Sequence, residues 1–153
     1  EEMEERRKNI HLEDFVEGIS LLILEMGRHP ESAPLLTPGQ EALLTLLNQR
    51  GKLPLKEIKP FLHINTFQMS RLLSSVENYI ENRRSTPLVR REVSSRDKRQ
   101  WIVALSTEGK RVLLEEWRRR KKRVEALLRP LTPQEKGTFM DIIDKMVSSM
   151  RSR

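Results

Sequence analysis

A chain of 153 residues with no cysteine and 33% charged residues has room for one domain with helical extensions, and it excludes disulfides, thiolate nucleophiles and thiol redox sensing together. It contains no run of 18 apolar residues, which argues against a membrane span, and the opening EEMEERRKNI lacks a signal's apolar stretch, so a cytoplasmic location is expected. The net charge of +7 is uneven, with 20 Lys/Arg against 9 Asp/Glu (+11) over residues 50–125 and 4 against 10 (−6) over residues 1–49, so the basic middle suits a polyanion.

In residues 8–27, Leu12, Phe15, Val16, Ile19, Leu22, Ile23 and Met26 recur at helical spacing, and Leu21 and Leu24 widen the stripe. So broad an apolar face needs burial on more than one side, against the rest of the chain or a second copy. The proline-bearing RHPESAPLL (28–36) reads as a loop. A second helix follows. Thr37 is its N-cap, Pro38 takes the first helical position, Gln40 completes a capping box, and Gly51 closes it in a left-handed conformation. LPLKEIKPFL then spaces Leu55, Ile58, Phe61 and Leu62 for a helix of one or two turns, kept short or bent by Pro60.

After His63-Ile64-Asn65, TFQMSRLLSSVENYIENRR reads as one helix, with Phe67, Leu72, Leu73, Val76 and Ile80 apolar, stopped by Ser85-Thr86-Pro87. Two short helices joined by a tight turn form a helix-turn-helix pattern. Residues 88–94 (LVRREVS) and 100–105 (QWIVAL) then read as strands around a charged tip, a hairpin wing. Two more helices are expected, over Thr107–Leu128 and from a capping box at Thr132-Pro133-Gln134-Glu135.

Helix-turn-helix followed by a hairpin is a winged helix, whose second helix enters the DNA major groove by its N-terminal residues. Here those are Asn65, Thr66, Gln68, Met69, Ser70 and Arg71. Gln pairs with adenine and Arg with guanine, while Thr and Met meet the thymine methyl group. An ordinary amphipathic helix with a polar outer face is the plainer alternative. In the wing, Arg99 is the candidate for the minor groove, and Asp97 is expected to orient its guanidinium through a charge-assisted pair. Arg90, Arg91, Arg96 and Lys98 are candidates for phosphates. The run RRRKKR (118–123) points around most of its helix and is expected to be solvated or paired with Glu115, Glu116 and Glu125. Trp117 is read as a helix-packing residue and Trp101 as packing at the wing base.

The stretches LTPGQEALLTLL, SRLLSSVENY and LVRREVSSRDKRQWIVALSTEGK resemble the MarR family of bacterial winged-helix regulators over roughly Leu36–Leu128. The family's Asp-(Arg/Lys)-Arg corresponds to Asp97-Lys98-Arg99, and its Thr-x-x-Gly stands here as Ser106-Thr107-Glu108-Gly109. Its Gly-Leu-Val before the wing is not reproduced, although Leu88 and Val89 fit the last two positions. Extra residues, Glu81–Pro87, stand in that place and imply a longer recognition helix or a bulged link. The resemblance implies a mainly α fold: a winged helix-turn-helix with a two-stranded β-wing, flanked by N- and C-terminal dimerisation helices. The divisions would be residues 1–36, 37–106 and 107–153.

It further implies a homodimer, with Leu12, Phe15, Val16, Ile19 and Ile23 of the first helix meeting Phe139, Ile142, Ile143 and Met146 of the last, although the latter face could equally be intrachain core. Family members often bind small aromatic effectors, but no polar constellation here identifies one. His11, His29 and His63 lie far apart in sequence, and no HExxH or glycine-rich phosphate loop is present, so no enzyme, metal or cofactor is expected. The expected function is sequence-specific double-stranded DNA binding by a repressor. The alternatives are a protein-interaction winged helix and a nonspecific architectural binder.

Overall fold

The computed structural model describes residues 10–28 and 33–152. They divide between two compact units, Pro34–Arg119 and the flanking segments Glu1–Ala33 with Arg120–Arg153. In chain order the elements are α1 (Leu12–Arg28), α2 (Pro38–Arg50), β1 (Leu53–Pro54), α3 (Leu55–Leu62), α4 (Thr66–Glu77), β2 (Ile80–Glu81), β3 (Arg84–Ser85), β4 (Val89–Val93), β5 (Trp101–Leu105), α5 (Thr107–Leu128) and α6 (Pro133–Arg151). The mainly helical winged helix-turn-helix is the architecture expected. His29 and residues 30–32 of the loop before α2 lie outside the described residues.

In the Pro34–Arg119 unit, helix starts follow local chemistry. Thr37 Oγ1 accepts from the Gln40 amide at 3.3 Å while Gln40 Oε1 accepts from the Thr37 amide at 3.0 Å, satisfying two of the donors a helix start leaves bare. Gln40 Nε2 also donates to Ser75 Oγ at 3.2 Å, so the same side chain ties α2 to α4. Gly51 closes α2 at φ 76°, but its ψ of −159° lies outside the left-handed helical well. Pro60 is accommodated near the end of α3, and His63 stops that helix in the left-handed conformation (φ 52°, ψ 42°).

The sheet has three strands in the order β1-β5-β4, all antiparallel. β1, which periodicity does not reveal, adds Leu53 and Pro54 to the free edge of β5 opposite Val103 and Ile102. The core joins α2, α3, α4, the wing strands and the first half of α5 through Leu43, Leu44, Leu47, Ile58, Met69, Leu73, Val76, Leu88, Val103, Val112 and Leu113. Each fully buried aliphatic side chain contributes roughly 1.5–3 kcal/mol.

Residues 78–87 depart from the helical expectation. α4 ends at Glu77 with Asn78 as its C-cap, and the extra residues form a second, tight hairpin in which Glu81 pairs with Arg84. Asn82 and Arg83 both have positive φ (50° and 63°), the signature of a type I′ turn, whose twist matches that of two antiparallel strands. Arg111 of α5 grips this hairpin through an ion pair with Glu81. α4 is therefore not lengthened; the insertion folds back on itself.

The flanking unit holds α1, the second half of α5 and α6. α6 starts from the expected capping box, with the Glu135 amide on Thr132 Oγ1 (3.2 Å) and the Thr132 amide on Glu135 Oε2 (2.8 Å). Neither α1 nor α6 contains a buried residue.

Candidate nucleic-acid interface

The N-terminal turn of α4 is fixed by a third capping box. Asn65 Oδ1 accepts from the Gln68 amide at 2.8 Å and Gln68 Oε1 accepts from the Asn65 amide at 2.9 Å. Each side chain thereby gives one acceptor lone pair to the backbone, so a paired contact of Gln68 with adenine would have to share or release its bond to the Asn65 amide. Met69 corrects the expected base-reading set: at 2% exposure it belongs to the core with Leu73 and Val76. Thr66, Ser70 and Arg71 remain on the exposed side of the helix, and Lys59 donates to Thr66 Oγ1 at 3.1 Å from the preceding helix. The same side carries Phe67, 68% exposed, with the Arg71 guanidinium 5.7 Å from its ring centre.

The wing tip is cinched by its backbone. The Ser94 amide donates to Gln100 O (2.9 Å) and the Gln100 amide to Asp97 O (2.9 Å). Ser94 Oγ accepts from the amides of Arg96 and Asp97 (3.3 and 3.4 Å), and Asp97 Oδ1 accepts from the Arg99 amide (3.0 Å). Asp97 thus orders the turn itself, not the Arg99 guanidinium; among the described residues no ion pair joins the two. A short carboxylate finds a backbone N–H two residues ahead before it reaches a long side chain. Arg96, Lys98 and Arg99 stand exposed on this pinned tip. Ser94, which sequence reasoning passes over, is buried and holds the tip at its root.

Arg91 is engaged within the protein. Its Nε donates to Glu77 Oε1 at 2.7 Å, which braces β4 against the end of α4. Arg90, its neighbour along β4, is exposed and lines an open groove with Leu47, Leu105, Lys110 and Leu114. Trp101 is not packed at the wing base: it stands opposite Val93 at the tip end of the strands, and both are nearly half exposed. Trp117 does pack against the core.

Two backbone hydrogen bonds at Leu88 tie the wing to α4 on one side and to the start of α5 on the other. The Leu88 amide donates to Val76 O (2.9 Å), and Leu88 O accepts from the Ser106 amide (3.0 Å). Ser106 Oγ donates to Pro87 O (2.7 Å) and accepts from the Gly109 amide (2.9 Å), capping α5. The Ser-Thr-Glu-Gly stretch is therefore the joint between wing and α5.

No protein-family model matches the sequence, and no curated protein matches it. Solved structures do. The chain is similar to the PcaV transcriptional regulator from Streptomyces coelicolor at 17% identity and a TM-score of 0.69, over 94% of this chain and 100% of PcaV. Wild-type MarR in its apo form from E. coli matches at 20% identity and a TM-score of 0.64, over 90% of this chain and 97% of that one. The chain has the MarR fold. A MarR family protein from Bacillus stearothermophilus matches at 20% and 0.68, over 92% and 93%. PcaV has also been solved in complex with its natural ligand. Identities of this size establish the fold alone.

On the flanks of this MarR fold, Leu12, Phe15, Val16, Ile19 and Ile23 are 55–75% exposed along α1. Phe139, Ile142 and Met146 of α6 are exposed and Ile143 is half-buried. In the basic run of α5, Arg118 and Arg119 both bond Glu115 (2.7 and 3.2 Å) and hold its carboxyl down to about 2. Lys121 lies 3.8 Å from Glu125. Glu116 is buried, and its Oε2 accepts from the amides of Leu35 and Leu36.

Proposed function

We propose that the chain is a sequence-specific double-stranded DNA-binding transcriptional regulator, acting as a homodimer on a pseudo-palindromic operator and repressing by occupying it. The observation that carries this reading is one compact unit that pairs an exposed helix face (Thr66, Ser70, Arg71) with a backbone-pinned tip bearing Arg96, Lys98 and Arg99. The helix face offers base-edge partners for the major groove, and Arg99 on a narrow two-stranded tip suits the minor groove. Arg90, Arg96 and Lys98 serve the phosphates, which position the protein without reading sequence.

The homodimer rests on the apolar faces of α1 and α6, since contiguous exposed apolar surface marks an interaction site. No helix among the described residues is long and apolar enough to cross a membrane. Release of DNA by a small-molecule effector belongs to the same reading, supported by the ligand complex of PcaV.

Arg99→Ala tests the wing. The variant is expected to lose about tenfold in DNA affinity at near-physiological salt, with unchanged circular dichroism and sedimentation. Full retention of affinity would remove the wing from the mechanism.

A further inference from the structure

Phe67 is the anomaly of the recognition helix. Counted from Met69, the positions Leu72, Leu73 and Val76 form the apolar stripe that faces the core; counted from Phe67, the neighbours one turn on are Ser70, Arg71 and Ser74, all outward. Phe67 is therefore not a core residue out of place but a large aromatic presented on the polar face, 68% exposed. It sits in the first turn, the part of such a helix that enters the groove deepest. The guanidinium of Arg71, one turn further on, lies 5.7 Å from its ring centre, within the range of a cation–π contact. Neither Phe67 nor Arg71 has an acidic side chain bound to it among the described residues.

An aromatic ring in the major groove has one distinctive target, the C5-methyl group of thymine, and a guanidinium has another, the O6 and N7 pair of guanine. The ring limits the rotamers of Arg71 before binding, which lowers the entropy lost when it pairs with a base. Four residues of helix rise about 6 Å, less than two base-pair steps of 3.4 Å, so the two contacts fall on neighbouring positions of one half-site.

We propose that Phe67 and Arg71 form a joint reading element that selects a thymine within two base pairs of a guanine, Phe67 reading the thymine by its methyl group. The element rests on the DNA-binding function proposed above and assigns its specificity.

The test uses the full chain and the best duplex it selects from a random library. Each thymine near a half-site guanine is replaced by deoxyuridine, which removes the methyl group and nothing else. Wild type is expected to lose about fourfold in affinity at one such position per half-site, the equivalent of one buried methyl group. Phe67→Ala is expected to bind the thymine and uracil duplexes equally while still preferring the guanine, and Arg71→Ala to lose the guanine preference. Phe67 is exposed, so folding is not at stake, and a circular dichroism spectrum checks it. Equal wild-type affinity for thymine and uracil duplexes, or persistence of the difference in Phe67→Ala, overturns the proposal while leaving DNA binding intact. Failure of wild type to retain any duplex overturns both.

Discussion

Gly109→Ala should be among the most damaging single-methyl changes in this chain. A Cβ built on Gly109 falls 2.0 Å from Leu88 O, 2.9 Å from Leu88 C and 2.8 Å from Leu105 Cδ1. The first two are backbone atoms, and they cannot swing aside as a side-chain end can. Leu88 O is already bound by the Ser106 amide, and the Leu88 amide by Val76 O, so making room for the methyl group must part α5 from the wing or the wing from α4. Overpacking of this kind costs about 3 kcal/mol, a large fraction of a typical domain's stability. Urea denaturation should show the midpoint falling accordingly, and DNA affinity should fall even where the protein remains folded, because the joint sets the wing's position. Gly137→Ala is the control: nothing lies within 4 Å of its Cβ position in α6, and alanine's helix propensity should stabilise it by up to about 1 kcal/mol.

Glu116→Ala is expected to cost about 3 kcal/mol through a different cause, the loss of a charged acceptor from the interior. Glu116 is 1% exposed, and its Oε2 accepts from the amides of Leu35 (2.7 Å) and Leu36 (3.3 Å), immediately before the capping box of α2. The other side of the same segment is held by Tyr79, whose hydroxyl donates to Leu35 O at 2.8 Å. Burial raises the Tyr79 hydroxyl's pKa, and the carboxylates of Glu81 and Glu116 push it the same way, so at neutral pH it stays a donor. Removing the Glu116 carboxylate leaves two amides without that acceptor and opens a void. Glu116→Gln keeps one acceptor oxygen and should cost only about 1 kcal/mol. Equal denaturation midpoints for Glu116→Ala and Glu116→Gln would show that the acceptor oxygen contributes nothing.

Much of this architecture is legible in the sequence because it is written in local chemistry. The boxes at Thr37–Gln40 and Thr132–Glu135 start helices where the hydroxyl and the amide meet, whatever surrounds them. The wing strands follow from β-type residues on either side of a charged tip. The features that escape a reading of the sequence depend on non-local or competing interactions. β1 exists because β5 offers a free edge about fifty residues away in the chain. The hairpin at Ile80–Ser85 needs two consecutive non-glycine residues at positive φ, for which only Asn82 leaves a recognisable trace.

At the site the same contrast holds. The basic composition of the tip is plain, but the partner of Asp97 is decided by a contest between a nearby amide and a distant guanidinium, and the amide wins. Arg91 looks like any other cation until Glu77 is found beside it. Glu116 reads in sequence as one more carboxylate beside a run of arginines, yet helical phase buries it where it also accepts from the amides of Leu35 and Leu36. Met69 and Phe67 exchange roles relative to a count of apolar residues alone, because the helix's phase, fixed at Asn65, sends one inward and the other out.

The measurement that bears most directly on this account is selection from a random duplex library by the purified chain at near-physiological salt, with sequencing of what is retained and sedimentation of the complex. The expected result is an enriched inverted repeat, its half-sites about one helical turn apart, bound by two copies of the chain. Retention without enrichment, binding by a single copy, or no retention at all would contradict it.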